Sequence, residues 1–147
     1  MPPAAAETGV AMRSTTWTAI VRASRSHYDS IIARGVVESK DVEFPAEWPE
    51  RSFQLAGPRL RVGRRSISRE AAPEIDLTGP PTDPGVSRLH AILVSQPDGA
   101  WAIEDPGSEN GTIVNGSEIP VGQPVPLTSG DTIYIGAWTA ITIVASL

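Results

Sequence analysis

The sequence contains no cysteine. This absence excludes disulfide bonds, zinc sites with thiolate ligands and catalysis by a thiol nucleophile. The chain also lacks any run of about 18 consecutive apolar residues, which a membrane-spanning helix needs, and residues 1–10 lack the basic and apolar regions of a signal peptide. We therefore expect a cytoplasmic protein that neither spans a membrane nor binds one.

Positive charge is scarce and unevenly placed. The formal net charge is −5, which argues against a general nucleic-acid binder because such proteins need a basic face. Half of the 12 basic residues nevertheless lie between positions 59 and 88, and none follows: Arg59, Arg61, Arg64, Arg65, Arg69 and Arg88. Arginine suits bidentate contacts to phosphate, although a codon bias toward arginine predicts the same count.

The chain of 147 residues is long enough for one domain with a single buried core. Residues 1–14 are mostly small and show no periodicity, so we predict a disordered tail followed by a domain over residues 15–147. After a first strand, residues 24–50 form a long insertion in which the spacing of a few apolar residues predicts one short helix.

The rest of the chain has the pattern of short β-strands. We predict strands over residues 17–23, 52–56, 59–63, 74–77, 90–95, 101–105, 112–114, 124–127, 132–136 and 138–145. Turn residues separate them, including Asn110-Gly111 and Asn115-Gly116, dipeptides that favour two-residue hairpin turns. The spacing is typical of an all-β protein built as a β-sandwich of two antiparallel sheets.

Two of the predicted loops carry most of the hydrogen-bonding side chains. Residues 83–90 are Asp-Pro-Gly-Val-Ser-Arg-Leu-His, and residues 105–116 are Asp-Pro-Gly-Ser-Glu-Asn-Gly-Thr-Ile-Val-Asn-Gly. Earlier in the chain, Gly63 and Arg64 end an apolar strand. Hydroxyl, amide and guanidinium groups on turns are the donors that a phosphate or peptide ligand requires.

This ordered set of motifs resembles a forkhead-associated (FHA) domain. The matching features are Gly63-Arg64, then Ser87-Arg88 with His90 two residues later, then Asn110-Gly111 followed by Asn115-Gly116. The resemblance extends over nearly the whole chain after the tail. It implies an FHA-type β-sandwich that reads phosphothreonine peptides through loops at one end, with a long insertion after the first strand.

The resemblance implies a role for each polar residue of these motifs. Arg64 is the principal phosphate ligand, Ser87 contacts the phosphate through its hydroxyl, and Asn110 holds the backbone of the bound peptide. The predicted phosphopeptide-binding set is Arg64, Ser87, Arg88, Ser108, Glu109 and Asn110. The predicted structural set is Gly63, His90, Gly111, Asn115 and Gly116. For each residue a purely structural or solvated role is the alternative.

A catalytic role is the first rival hypothesis. His90 lies near Ser87 in sequence, but Ser-x-x-His is too close for the usual triad geometry, and the nucleophile elbow Gly-x-Ser-x-Gly is missing. We therefore expect no catalytic residue, no metal, no cofactor and no enzymatic activity. The resemblance implies instead a bacterial adaptor or regulator in Ser/Thr kinase signalling, whose partner is a phosphothreonine protein such as a kinase or its substrate.

Glu109 is the motive for the second rival hypothesis. Many members of the FHA family carry threonine or another neutral residue at the matching position, whereas a carboxylate beside the pocket opposes a phosphate. The alternative function is a degenerate FHA fold that binds a protein without recognising phosphate.

Overall fold

A computed structural model describes residues 15–35, 42–65 and 72–146. The predicted disordered tail, residues 1–14, lies outside the described residues. The elements in chain order are β1 (Thr16–Ala23), α1 (Arg25–Ala33), β2 (Arg51–Gln54), β3 (Arg59–Gly63), β4 (Ile75–Asp76), β5 (Ala91–Ser95), β6 (Trp101–Glu104), β7 (Thr112–Val114), β8 (Ser117–Glu118), β9 (Val125–Leu127), β10 (Thr132–Ile135) and β11 (Thr139–Ser146).

The strands form two sheets that pack face to face. The six-stranded sheet has the order β2-β1-β11-β10-β7-β8, and the five-stranded sheet has the order β4-β3-β5-β6-β9. All pairs of strands are antiparallel except β3 and β4, which run parallel. The predicted all-β sandwich is confirmed, with one parallel pair at the edge of an otherwise antiparallel sheet.

Alternation along the strands builds the core between the two sheets. In β3, Leu60 and Val62 are buried inside while Arg59 and Arg61 lie on the outer face, because side chains point to opposite faces in turn. In β10, Ile133 and Ile135 are buried in the same way on either side of Tyr134. Each such aliphatic side chain contributes about 1.5–3 kcal/mol by burial, so the alternating pattern fixes which face of each strand turns inward.

The helix α1 lies within the insertion that follows β1, which confirms the predicted short helix. Ser24 begins it, because the Ser24 hydroxyl accepts a hydrogen bond from the backbone N–H of His27 at 3.2 Å. Tyr28 packs with Trp138 in a second, smaller apolar cluster beside the turn between β10 and β11. The insertion therefore covers part of the outer face of the six-stranded sheet and touches the end of the sandwich where the predicted site lies.

Strand β8 is the one strand that the sequence pattern did not predict. It has only the exposed residues Ser117 and Glu118, so it carries no alternation of buried and exposed side chains. The turn before it has positive φ at Asn115 (50°) and Gly116 (92°), and the type I′ hairpin turn needs positive φ at both central residues. Among the described residues no helix has the length and apolar character that crossing a bilayer requires.

Candidate functional site

Two loops with the same opening meet at one end of the sandwich. We call residues 83–90 the first Asp-Pro-Gly loop and residues 105–111 the second Asp-Pro-Gly loop. In each, the opening aspartate accepts a hydrogen bond from the glycine N–H two residues later, at 2.9 Å for Asp83 and 2.8 Å for Asp105. These side-chain turns set the shape of both loops locally, so their similar starts follow from similar sequence.

The first loop crosses directly over the end of β3. The N–H of Arg64 donates to the carbonyl oxygen of Arg88 at 3.2 Å. At Gly63 a Cβ atom would overlap that same carbonyl group of Arg88. Glycine is therefore required at position 63 because the loop backbone comes too close for a side chain. This close approach brings Arg64 beside the first loop.

The side chain of Arg64 is held in place through one of its three nitrogens. Its Nε–H donates to the carbonyl oxygen of Val86 at 2.5 Å, and neither Nη atom has a partner among the described residues. The neighbouring Arg65 is engaged differently, since its Nη2 lies 2.8 Å from a carboxylate oxygen of Asp76. The orientation leaves both Nη groups of Arg64 available to a ligand at this end, whereas Asp76 occupies one Nη group of Arg65.

Ser87 joins the two loops. Its hydroxyl oxygen accepts a hydrogen bond from the backbone N–H of Glu109 at 3.1 Å. A hydroxyl that accepts through its oxygen keeps its proton to donate, and the proton of Ser87 has no acceptor among the described residues. The Glu109 side chain is exposed beside this contact.

Asn110 links the second loop to the first. Its Nδ2 donates to the carbonyl oxygen of Gly85 at 2.9 Å. One N–H and the amide oxygen of Asn110 have no partner in the described part of the chain, which leaves a donor and an acceptor on one side chain. The Asn110-Gly111 dipeptide does not form a hairpin turn, in contrast to Asn115-Gly116, because it lies within the loop before β7.

His90 is buried under both loops and bridges them. Its Nδ1 accepts from the N–H of Ser87 at 3.0 Å, and its Nε2 lies 2.8 Å from the carbonyl oxygen of Gly111. Since a carbonyl only accepts, Nε2 carries the proton and the ring is neutral. Burial is the largest cause that lowers the pKa of His90 below its usual value. Both nitrogens are thus used in holding the loops together.

Ser108 lies inside the second loop. Its hydroxyl donates to a carboxylate oxygen of Asp105 at 2.7 Å and accepts from the N–H of Gly111 at 2.9 Å. Thr112 donates to the same oxygen of Asp105 at 2.9 Å. These bonds hold the loop backbone, and contact of Ser108 with a ligand stays a prediction.

Asp83 has a major structural role that the sequence pattern did not predict. It is buried, and its carboxylate accepts from the backbone N–H groups of Ala137 and Trp138 and from the Thr139 hydroxyl, at 2.9, 3.0 and 2.7 Å. Together with the turn to Gly85, these contacts fasten the first loop to the β10–β11 turn. The repeated Asp-Pro-Gly opening was the available signal, but it revealed only the local turn.

Arg88 is exposed, and its side chain has no hydrogen bond or ion pair to the described residues. The structure therefore brings four predicted ligand groups to one end of the sandwich: the Arg64 fork, the Ser87 hydroxyl, the Asn110 amide and the Arg88 side chain. It also brings the Glu109 carboxylate there. Of the predicted structural set, Asn115 and Gly116 lie away from this end, in the turn between β7 and β8.

The two buried histidines predict that the fold loses stability just below neutral pH. Burial lowers the pKa of both His27 and His90, so the unfolded chain takes up protons first as the pH falls through about 6.5. The free energy of unfolding therefore keeps its full value above that pH. Below it, the free energy of unfolding declines by up to about 1.4 kcal/mol per pH unit for each histidine. Urea unfolding between about pH 7.5 and 5.5 measures this decline.

The control for this prediction is the variant His90→Gln, which keeps an uncharged N–H donor toward the Gly111 carbonyl. It is expected to show a shallower pH dependence than the wild type over the same range. Carboxylates with lowered pKa, such as Glu74 at about 2, lose their stabilisation only in more acidic solution. An unfolding free energy that stays constant between those pH values would contradict the prediction.

Comparisons with known proteins agree with this architecture. The family model described as the FHA domain matches residues 60–136. Protein FraH of the cyanobacterium Nostoc sp. (strain PCC 7120) is 35% identical over 124 residues, which cover 84% of this chain and 39% of that protein. The chain spans at most 39% of the length of the curated relatives that it matches.

Solved structures share the fold. The FHA domain of an Arabidopsis thaliana hypothetical protein superposes with a TM-score of 0.61 at 21% identity, covering 91% of this chain and 88% of that domain. A structure from work on phosphothreonine-dependent FHA domain interactions gives a TM-score of 0.53 at 21% identity, with 86% and 95% coverage. Because the family model extends over more than half of the 147 residues, the chain belongs to the FHA domain family.

Proposed function

We propose that this chain binds phosphothreonine-containing peptides and acts as an adaptor or regulator in Ser/Thr kinase signalling. The observation that carries the proposal is the meeting of the Arg64 fork, the Ser87 hydroxyl and the Asn110 amide, each with hydrogen-bonding capacity left over. A phosphothreonine brings about −1.5 to −2 charges and three strong acceptor oxygens at pH 7. The unused donors match that demand.

Each residue has a separate task in this mechanism. The two Nη groups of Arg64 contact the phosphate oxygens, and the Val86 carbonyl keeps the guanidinium plane in position. The Ser87 proton donates to another phosphate oxygen, and Arg88 adds positive charge. Asn110 uses its remaining donor and acceptor to pair with the peptide backbone. Because binding needs no bond to be made or broken, the proposed function is recognition and not catalysis.

The proposed partner is a phosphorylated cytoplasmic protein, a Ser/Thr kinase or one of its substrates, in a bacterial cell. Support comes from the phosphothreonine-dependent interactions named for one of the similar FHA domains. Neither a nucleic acid nor a membrane is proposed as a partner. The net charge of −5 is unfavourable for contact with either polyanionic surface.

A pair of matched peptide libraries tests the proposal. Fluorescence polarisation is measured with peptides that carry phosphothreonine and with the same sequences that carry threonine. The expected result is binding that requires the phosphate. Equal binding of both libraries would support the alternative, a phosphate-independent interaction, for which the exposed carboxylate of Glu109 is the specific observation.

Replacing Glu109 with threonine is expected to strengthen phosphopeptide binding. A carboxylate about 6 Å from a phosphate opposes it by about 1 kcal/mol in a water-like medium, which corresponds to about a fivefold loss of affinity. The backbone N–H of residue 109 that donates to Ser87 is kept in the variant. Titration at low salt, where screening is weakest, measures the gain.

The same variant separates two orientations of Glu109. If the carboxylate selects basic residues of the ligand, the substitution weakens a peptide with arginine or lysine near the phosphothreonine and leaves a neutral peptide unchanged. Both peptides are therefore titrated against both proteins. Unchanged affinity for both would show that Glu109 is a solvated bystander.

A further inference from the structure

A cleft of about 180 Å³ lies between α1 and the outer face of the six-stranded sheet. We call it the α1 cleft, and its lining residues are Ser26, His27, Ser30, Arg34, Ile113, Gly116 and Tyr134. Ser26 and Ser30 of α1 and Arg34, the residue that caps its C-terminus, follow one another at intervals of four, so they lie on the same side of the helix. Ile113 and Tyr134 are paired across β7 and β10 and form the floor.

The lining carries hydrogen-bond donors that are not used within the described residues. The Ser30 hydroxyl, the Tyr134 hydroxyl and the Arg34 guanidinium have no side-chain partner there. Of the described residues that line the cleft none is acidic, and Asp29 on the same helix is paired with Arg25 at 3.1 Å. One cation and two hydroxyl groups in the described lining favour an anionic group.

Contacts on the protein connect this cleft to the proposed phosphothreonine site. Asn110 binds the Gly85 carbonyl, and Gly85 packs so tightly against Gly136 that a Cβ atom would lie 2.9 Å from the Gly136 Cα atom. The carbonyl oxygen of Gly136 in turn accepts from His27 Nε2 at 3.0 Å. The cleft thus begins immediately beyond the contacts that position the two Asp-Pro-Gly loops.

We propose that the α1 cleft binds a second anionic group, a carboxylate or a phosphate, carried by the same ligand as the phosphothreonine. Arg34 supplies the charge, and the Ser30 and Tyr134 hydroxyls donate to the anionic oxygens. The proposal rests on the proposed function. An extended peptide of about 13 residues is up to about 45 Å long, so it reaches from the loops along the helix.

The ligand specificity of the chain then depends on its insertion as well as on its loops. Residues of α1 lie between β1 and β2, outside residues 60–136, which the FHA family model matches. The α1 cleft therefore adds to the recognition surface a charged group that does not come from the matched part of the chain.

The experiment measures the affinity of the whole 147-residue chain for three series of phosphothreonine peptides by fluorescence polarisation. In one series a single glutamate is moved from position to position along a neutral peptide, in the second a phosphoserine replaces it, and the third is the neutral parent. At one or more positions the wild type is expected to bind the anionic peptide about three- to tenfold more tightly than the neutral parent.

The variant Arg34→Gln is expected to lose this gain while it binds the neutral parent as the wild type does. The matched control is Arg59→Gln, which removes the same charge from the start of β3 and is expected to keep the gain. Thermal unfolding of both variants checks that the fold is intact. A gain in affinity with phosphoserine but not with glutamate identifies the bound anion as phosphate. A gain with both peptides shows that the cleft accepts either a phosphate or a carboxylate.

Two kinds of result would overturn the inference. They differ in whether the proposed function also fails. If the wild type binds the phosphothreonine peptides but ignores the second anion, or if Arg34→Gln keeps the full gain, only the α1 cleft proposal fails. If the wild type binds no phosphothreonine peptide at all, the proposed function fails and this inference fails with it.

Discussion

Replacing Arg64 with alanine is expected to abolish phosphopeptide binding and to leave the fold intact. The variant loses both Nη groups at once, and each charge-assisted hydrogen bond contributes about 1.5–3 kcal/mol. The combined loss of about 3 kcal/mol or more corresponds to at least a hundredfold weaker binding. The side chain lies at the loop end of β3 and is only half-buried, so little packing is removed.

The neighbouring arginine provides the matched control for this prediction. Arg65→Ala removes the same charge one residue away, but Arg65 is paired with Asp76 and does not bind the Val86 carbonyl. It is expected to bind the phosphopeptide nearly as the wild type does. The variants Ser87→Ala and Asn110→Ala are expected to have phosphopeptide affinities between those of Arg64→Ala and Arg65→Ala. If Arg64→Ala binds within about twofold of the wild type, the site is assigned to the wrong residues.

Replacing Asp83 with alanine is expected to cause the largest loss of stability. Four donors lose their acceptor: the backbone N–H groups of Gly85, Ala137 and Trp138 and the hydroxyl of Thr139. Each buried donor that is left without an acceptor costs about 1–3 kcal/mol, so the loss of all four is expected to cost several kcal/mol. A domain with a free energy of unfolding of about 5–15 kcal/mol then keeps only part of that stability.

Urea unfolding measures this loss, and two further variants make it interpretable. Asp83→Asn keeps the size of the side chain but turns an amide donor toward backbone donors, so it is expected to lose much of the same stability even where the alanine variant does not fold. Asp98→Ala removes an exposed carboxylate that accepts a single bond from the Ala100 N–H, and it is expected to cost less than about 1 kcal/mol. Equal stability of the Asp83 and Asp98 variants would contradict the prediction.

Loss of Asp83 is also expected to weaken ligand binding, although this residue does not face the ligand. The Asp83 carboxylate holds the start of the loop that carries Ser87 and Arg88. The same loop supplies the Val86 carbonyl that positions Arg64. A binding measurement on Asp83→Asn under conditions where it is folded therefore reports how strongly the fork of Arg64 depends on the loop.

The sequence predicted most accurately those features that arise from neighbouring residues. The φ values of Asn115 and Gly116 follow from the dipeptide itself, and the alternation in β3 follows from the apolar residues at every second position. The two segments that open with Asp-Pro-Gly were predicted as loops, and in each the aspartate side chain binds the N–H two residues later. Strand β8 was not predicted because its two residues are both exposed and show no alternation of apolar and polar side chains.

By itself, then, the sequence determined the strands other than β8, the hairpin turn at Asn115-Gly116, the short helix and the set of polar side chains that the two loops offer. Only the tertiary structure decided which of these groups are free to bind a ligand. It paired Arg65 with Asp76, left the Nη groups of Arg64 without a partner among the described residues, and joined Asp83 to residues more than fifty positions away. It also formed the α1 cleft from the insertion and two distant strands. The physical reason is that hydrogen bonds between remote segments depend on how the two sheets pack. Local sequence does not encode the distance between segments that are far apart along the chain.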